Sequence, residues 1–149
     1  MKSYRSYARK GFTLVEILIV VIILGILAAI VIPQFTNASQ DARKSSLVSQ
    51  LQTLRSQIEL FKLQHGDTLP DLVTNWNPMT TVTVYATKNY GPYMQAIPLN
   101  PLTGASVVKN GDGSAAVAGA SFIYDYAAGA GTGRIYGTSD ATLGTKYVE

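Results

Sequence analysis

The ionisable side chain with the clearest chemical potential in this sequence is Glu16, because it lies within an apolar segment. Sixteen of the 21 residues from Phe12 to Ile32 are Phe, Leu, Ile or Val. An ionisable residue in such a segment indicates a function, and its partner has to be identified. The segment contains no cation, but a cut between Gly11 and Phe12 would create an α-amino group four residues before Glu16, on the same face of a helix. The carboxylate would then have a charged partner, in its own chain or in a neighbouring one.

Residues typical of catalysis are scarce in the rest of the chain. The sequence has no Cys and one His, His65, which excludes disulfides and thiolate metal sites and leaves little for acid–base chemistry. A lone His at the end of a helix is expected to complement the helix dipole. The Gly-rich stretch at residues 129–133 lies between predicted strands and not before a helix, unlike a phosphate-binding loop. We therefore predict a protein that is not an enzyme, with no catalytic residue, metal site or cofactor.

The apolar segment has the length of a membrane span. A helix of 21 residues is about 31 Å long, close to the thickness of the hydrocarbon core. Its apolar residues favour insertion by about 5 to 10 kcal/mol, against about 3 kcal/mol for one carboxylate at the bilayer centre. Four of the twelve cations precede the segment, whereas the chain from Phe12 onward carries eight cations and nine acids. This bias predicts a cytoplasmic N-terminus and an exported body, and it gives no reason to expect a nucleic-acid partner.

Two simpler interpretations of the apolar segment stay open. A secretory signal peptide would be cut near Ala28-Ala29, although Ile30 and further large apolar residues follow that pair. A plain signal anchor would leave Glu16 merely reaching toward the membrane interface. Either interpretation would make the protein a single-pass membrane-anchored or secreted extracytoplasmic binding domain.

The segment Arg9-Lys10-Gly11-Phe12-Thr13-Leu14-Val15-Glu16 and the apolar run after it resemble the processing signature of type IV pilins and type II secretion pseudopilins. The resemblance implies that prepilin peptidase removes residues 1–11 as a leader and that Phe12 becomes N-methylated. It also implies that Glu16 pairs with a neighbouring subunit's N-terminus, and that the partners are identical or related pilin subunits and an inner-membrane assembly platform. The expected location is the cytoplasmic (inner) membrane, followed by a periplasmic or cell-surface filament.

Pro33 follows the apolar segment and predicts a disturbance of the helix. Proline lacks an N–H and pushes on the carbonyl four residues back, here Ala29, so we expect a kink or loosened turn between Gly25 and Pro33. In the family this stretch resembles the part that bends or unwinds when subunits pack, which makes Pro33 a second assembly residue. The alternative is a helix that ends where the membrane ends.

An amphipathic helical segment is predicted at residues 34–65. Its apolar residues recur with spacings of 4, 3, 4 and 3, which places them on one face. They are Leu47, Leu51, Leu54, Ile58 and Phe61. The stripe predicts packing on the chain's own C-terminal domain in preference to a coiled coil, and His65-Gly66 provides the helix end.

Residues 66–149 are predicted to form a C-terminal globular β-rich domain. Residues 67–78 are expected to be a loop anchored by Trp76, although a ligand-binding Trp is an alternative. Residues 80–86 alternate Thr and Val and predict a strand. Residues 90–101 contain too much proline for a central strand, so we expect an ordered connecting loop there.

The clearest hairpin signal of this domain joins residues 121–126 to residues 134–136. Its aromatic face, Phe122, Tyr124 and Tyr126, is expected to pack on the helix stripe; stacking on nucleic-acid bases would need cations that the body lacks. Asn110-Gly111-Asp112-Gly113 predicts a turn after a short strand at residues 106–108.

These patterns predict an α+β, pilin-like fold, with a long N-terminal helix packed on a small antiparallel β-sheet domain and the first half of the helix, residues 12–33, in the membrane. The predicted function is that of a structural filament subunit. Pilins commonly carry a C-terminal disulfide, which this chain cannot form, and the loop with Gly91-Pro92-Tyr93 resembles the major pseudopilin of type II secretion. We therefore favour a pseudopilin over a type IV pilus subunit for adhesion, motility or DNA uptake. That pseudopilin binds Ca²⁺ through closely spaced acids, but residues 137–142 contain only Asp140, so no calcium site is predicted.

Overall fold

The computed structural model describes residues 11–127 and 130–139. The chain divides into two compact units, Met1–Ser39 and Gln40–Glu149. The predicted leader, apart from Gly11, and the acid Asp140 lie outside the described residues. The elements are α1 (Leu14–Gln64), α2 (Asn77–Thr80), β1 (Thr83–Tyr85), β2 (Lys88–Tyr90), β3 (Val108–Asn110), β4 (Phe122–Tyr124) and β5 (Ile135–Gly137). The predicted α+β class is confirmed.

Helix α1 has 51 residues and includes parts of both units. It continues through Pro33, so the alternative in which the helix ends with the apolar segment is wrong. It ends at Gln64, and Gly66 follows with a φ of 61°. Glycine is favoured there because a side chain disfavours this left-handed backbone, and the predicted end at His65-Gly66 is confirmed.

In the N-terminal unit, the large apolar side chains of α1 are exposed. Their exposed fractions range from 41% for Val31 to 81% for Leu14. Among the described residues, α1 is the helix that is long and apolar enough to cross a membrane. Contiguous apolar surface of this extent marks a region that contacts a membrane or another protein.

In the C-terminal unit, the predicted stripe of α1 forms the core. All five stripe residues are buried, and they pack with residues of β4 and β5, including Phe122, Tyr124 and Ile135. A Cβ on Gly137 of β5 would lie 2.8 Å from the side chain of Leu47, so only glycine allows the sheet to approach the helix this closely. Packing of the helix on its own domain is confirmed.

Two small sheets accompany the helix. Strands β1 and β2 form an antiparallel pair in which Thr83 lies opposite Tyr90. The other sheet has the order β3-β4-β5, and β4 pairs with β5 in antiparallel register, which confirms the predicted hairpin. Its second face is covered as well, because Ile123 and Tyr136 pack with Ala120.

Two details of the strands differ from the sequence prediction. The strand predicted from residue 80 begins at Thr83, because Thr80 belongs to α2. Strand β3 includes Asn110 and runs parallel to β4, so Asn110-Gly111 does not close a hairpin and the sheet is mixed rather than wholly antiparallel. A parallel pair joins distant segments, and no local pattern in residues 106–113 encodes its partner.

Candidate processing and assembly site

The beginning of α1 is closed by a reciprocal pair of side chains, Thr13 and Glu16. The backbone N–H and the hydroxyl of Thr13 each donate to Oε2 of Glu16 at 2.8 Å, and the N–H of Glu16 donates to Oγ1 of Thr13 at 3.2 Å. This is a capping box, which satisfies N–H groups that have no partner in the first turn of a helix. The positive end of the helix dipole further favours a carboxylate at this position.

The capping box was missed in the sequence prediction, although its signal was present. Thr-x-x-Glu directly before an apolar run is the sequence signature of a helix N-terminus. It gives Glu16 a partner in its own chain, in addition to the expected α-amino group. Both hydrogen bonds that Glu16 accepts end on Oε2, so Oε1 stays outside the capping box.

Glu16 and Phe12 belong to the same part of the surface. Both residues line a shallow surface depression of about 350 Å³, together with Ile17, Ile19 and Val20. Phe12 is 84% exposed. The expected processing residue and the expected assembly acid therefore belong to one surface, which is apolar apart from the Glu16 carboxylate.

The other two predicted site residues are Gly11 and Pro33. Neither lines this depression. A Cβ on Gly11 would meet no atom within 4 Å, so the fold itself does not require glycine there. Pro33 is 17 residues beyond Glu16 along α1, a helical distance of about 25 Å. Next to Pro33, the hydroxyl of Thr36 donates to the carbonyl of Ile32 at 3.2 Å. The bend expected between Gly25 and Pro33 stays a prediction.

His65 and Trp76 have structural roles in the C-terminal unit. His65 is buried, its ring stacks on Phe61 at 3.8 Å, and its two nitrogens lie 2.9 Å from the Phe61 carbonyl and from the hydroxyl of Thr83. The indole N–H of Trp76 donates to the carbonyl of Ser106 at 2.9 Å, and the ring packs in the core. Trp76 therefore anchors its loop as predicted, and neither side chain is available to a ligand.

Two acids of the C-terminal unit, Asp112 and Asp125, accept hydrogen bonds from the chain's own hydroxyl and backbone N–H groups. Asp112 accepts from Ser114, and Asp125 accepts from the backbone N–H of Thr132 at 3.0 Å and from its hydroxyl. Among residues 11–127 and 130–139, no group of three or more His, Cys, Asp or Glu side chains is placed to hold a metal ion.

Asn100 is a central residue that the sequence prediction missed. It is fully buried in the proline-rich loop, and its amide nitrogen donates to the carbonyls of Ser121 at 2.7 Å and Thr138 at 2.9 Å. Its Oδ1 accepts the N–H of Leu102 at 2.8 Å. Asn100 thereby ties the loop to the segments that begin β4 and follow β5. Nothing in the local pattern distinguishes it from a solvent-exposed turn residue.

Comparison with known proteins finds a short N-terminal motif and partial similarity to secretion and fimbrial proteins. Residues 7–32 match the prokaryotic N-terminal methylation motif. The chain is 40% identical over 58 residues to the type II secretion system core protein G of Dickeya chrysanthemi. The aligned region covers 39% of this chain and 38% of that protein. The chain is 31% identical to the protein of the same name from Escherichia coli over 84 residues, 46% of this chain and 58% of that protein.

A fimbrial protein is similar to the chain over an alignment of comparable length. The chain is 49% identical over 51 residues to the type IV major fimbrial protein FimA of Dichelobacter nodosus, covering 34% of this chain and 33% of that protein. The chain therefore spans between about a third and three fifths of the length of these relatives. No solved structure matches the chain.

Proposed function

Because the chain carries the N-terminal methylation motif of prepilins and resembles type II secretion core proteins G and type IV fimbrial proteins, we propose that it is a structural subunit of a pilus-like or pseudopilus filament. The observation that carries the proposal is the capped Glu16 at the start of a helix whose first half is apolar and exposed. The subunit has a mechanical role and no catalytic one. Its partners are other copies of itself or related subunits.

The N-terminus is prepared for assembly by processing. Prepilin peptidase cuts after Gly11 and removes residues 1–11, and Phe12 is then N-methylated. The open surroundings of Gly11 support a requirement for glycine that comes from the peptidase and not from the fold. The cut leaves a cationic α-amino group at Phe12, one residue before the capping box.

Glu16 neutralises that amine in the filament. When apolar helices of adjacent subunits bury each other, a charged amine without a partner is strongly destabilising, and a carboxylate at hydrogen-bond distance offsets the loss of solvation. The capping box supports this role because it orients the Glu16 carboxylate toward the N-terminal end of the helix, where the new amine lies. Oε1 is left to accept from the N-terminus of a neighbouring subunit.

The other segments of the chain have roles that fit this arrangement. Residues 12–33 form the membrane and assembly helix, and Pro33 allows the helix to change shape as subunits pack. Residues 34–65 continue the helix into the globular domain formed by residues 66–149. Before assembly the subunit crosses the cytoplasmic (inner) membrane once with its N-terminus in the cytoplasm, and it then enters a periplasmic or cell-surface filament.

Within this class we favour a pseudopilin of type II secretion. The absence of Cys and the longer similarity to the core protein G of Escherichia coli support this choice. The higher identity to a fimbrial protein over 51 residues favours a type IV pilus subunit as the second candidate. Deletion of the gene separates the two: a pseudopilin is required for export of secreted proteins, whereas a pilin is required for surface fibres.

Filament formation is tested by producing the full chain together with its assembly machinery and collecting sheared material from the cells. We expect the protein in filaments visible by electron microscopy and decorated by an antibody to the C-terminal domain. Recovery of the protein only as monomers in the membrane, in cells whose machinery assembles another subunit, would contradict the proposal.

A further inference from the structure

Asn110-Gly111, at the end of β3, takes no part in the proposed filament chemistry but forms a reactive pair. Asn110 is the only asparagine of the sequence that is followed by glycine. Because glycine has no Cβ, its backbone nitrogen approaches the side-chain carbonyl of the preceding asparagine with little hindrance. Attack by that nitrogen is the first step of asparagine deamidation.

The fold holds this pair away from the reactive geometry. The N–H of Gly111 donates to the carbonyl of Tyr124 at 3.1 Å, which fixes the attacking nitrogen. The side-chain oxygen of Asn110 accepts the N–H groups of Tyr126 and Ala127, both at 3.3 Å. Pairing with β4 keeps the backbone of Asn110 extended, whereas ring closure requires the Gly111 nitrogen to turn toward Cγ of Asn110.

Packing gives Gly111 a structural role at this position. A Cβ there would lie 3.0 Å from Cγ2 of Ile123 and 3.4 Å from Cγ2 of Val117. A larger residue would push against the side of the sheet that Ile123, Ala120 and Tyr136 cover. The tight packing therefore requires the same glycine that makes Asn110 reactive.

We propose that Asn110 is a site of spontaneous deamidation that the pairing of β3 with β4 keeps unreacted in the folded protein. When the pairing opens, the nitrogen of Gly111 gives up its proton and attacks Cγ of Asn110. The bond from Cγ to Nδ2 breaks, and the NH2 group takes up a proton and leaves as ammonia. Water then opens the resulting succinimide at either carbonyl and gives aspartate or isoaspartate. No oxidant or reductant takes part.

Conversion to isoaspartate should loosen the segment that follows β4. Isoaspartate adds a methylene to the main chain and displaces the N–H of residue 111 from the carbonyl of Tyr124. The oxygen at position 110 then no longer lies against the N–H groups of Tyr126 and Ala127. Loss of ammonia makes the reaction irreversible. Subunits in which the pairing of β3 with β4 has opened therefore accumulate the modification with time.

The test compares the full chain in detergent with the same chain in guanidinium chloride, at one mildly alkaline pH. Peptide mass mapping measures conversion at every asparagine, and an isoaspartyl-specific methyltransferase labels the rearranged product. We expect Asn110 to react faster than the other five asparagines in denaturant, and at least about tenfold slower in the folded chain. Equal rates in the folded and unfolded chain would overturn the proposal, and so would the absence of a preference for Asn110 in denaturant.

Gly111→Ala examines the mechanism without depending on folding. The comparison is made entirely in denaturant, where the added methyl group hinders the attacking nitrogen and conversion at Asn110 should slow severalfold. An unchanged rate in this variant would show that the Gly111 nitrogen is not the nucleophile.

Discussion

The side chains of Thr13 and Glu16 cap each other at the start of α1, with two 2.8 Å hydrogen bonds into the carboxylate and one of 3.2 Å back to the hydroxyl. The cap fixes the direction of a carboxylate that would otherwise be free to rotate on an exposed helix. Because Phe12 directly precedes Thr13, an amine created at Phe12 lies next to the same carboxylate. One side chain therefore serves both the helix of its own chain and, by our proposal, the N-terminus of a neighbour.

Replacement of Glu16 separates these two roles. Glu16→Gln keeps a side-chain oxygen that can accept in the capping box but removes the charge, whereas Glu16→Ala removes both. We expect both variants to insert into the membrane as the unmodified chain does, because removal of the charge makes the segment more apolar. Both should lose filament assembly about tenfold or more, since an amine without a carboxylate partner is destabilising when buried.

The measurement is the amount of protein in the membrane and in sheared filaments, by quantitative immunoblot. Normal filaments from Glu16→Gln would show that the charge of Glu16 is not needed, and would leave the cap as its only role. Thr13→Ser is the matched control, because it retains the hydroxyl that completes the cap and should assemble normally.

Gly11→Asp is predicted to block processing without disturbing the fold. The space around Gly11 is open, so the substitution should leave the stability of the C-terminal domain within about 0.5 kcal/mol of the unmodified chain. The uncut leader would be detected as a larger protein in membranes of cells that contain the peptidase. Normal cleavage of this variant would remove the assignment of the cut to the Gly11-Phe12 bond.

Asn100 is predicted to contribute substantially to the stability of the C-terminal domain, although the sequence around it gives no sign of this. Asn100→Ala leaves the carbonyls of Ser121 and Thr138 without the amide donor and should lower the free energy of unfolding by about 2 kcal/mol. Asn100→Asp should be worse near neutral pH, because a carboxylate would face those two carbonyl oxygens. Urea unfolding, followed by the fluorescence of the single, buried Trp76, measures the effect.

Asn89→Ala is the matched control for Asn100, since Asn89 lies exposed in β2. Its free energy of unfolding should change by less than about 0.5 kcal/mol. Equal effects of the two alanine substitutions would contradict the assignment of a special role to Asn100.

Replacement of two tyrosines by phenylalanine is predicted to change the free energy of unfolding in opposite directions. Tyr124 is fully buried and its hydroxyl has no hydrogen-bond partner among the described residues, so Tyr124→Phe should raise the free energy of unfolding by about 1 kcal/mol. The hydroxyl of Tyr93 donates to Oε1 of Gln64 at 2.7 Å, so Tyr93→Phe should lower it by about 1 kcal/mol. Two changes of the same sign in urea unfolding would contradict this reading of the hydrogen bonds.

The same tyrosines determine the alkaline limit of stability. Burial raises the pKa of Tyr124, and also that of Tyr93, above the value of about 10 in an unfolded chain. The folded state therefore holds these protons more tightly, and the stabilisation is complete below pH 10 and is lost as the pH rises above it. Thermal unfolding between pH 8 and about 11 should show this fall, and Tyr124→Phe should make it shallower.

Much of this architecture is predictable because it is encoded locally. The period of Leu47, Leu51, Leu54, Ile58 and Phe61 specifies the buried face of α1, and all five are buried. Gly66 specifies the end of the helix through its backbone conformation. The alternation of residues 121–126 specifies β4 and its hairpin with β5. In each case the signal and the structure lie within a few residues of each other.

The features that escaped prediction depend on distant partners. Asn100 bonds to residues 21 and 38 positions away, and β3 pairs in parallel with a strand that begins at Phe122. Contacts between such distant residues are not encoded by a periodic pattern in the sequence. The Thr13–Glu16 cap is different, because its Thr-x-x-Glu signal is local and lies within the sequence of the motif itself.

The most direct test of the proposed function is the intact mass and N-terminal sequence of the protein recovered from membranes and from sheared filaments. We expect a mature chain that begins at N-methylated Phe12 in the filaments. A chain that still begins at Met1, or one cut after Ala29, would contradict it and would favour an anchored or secreted binding domain.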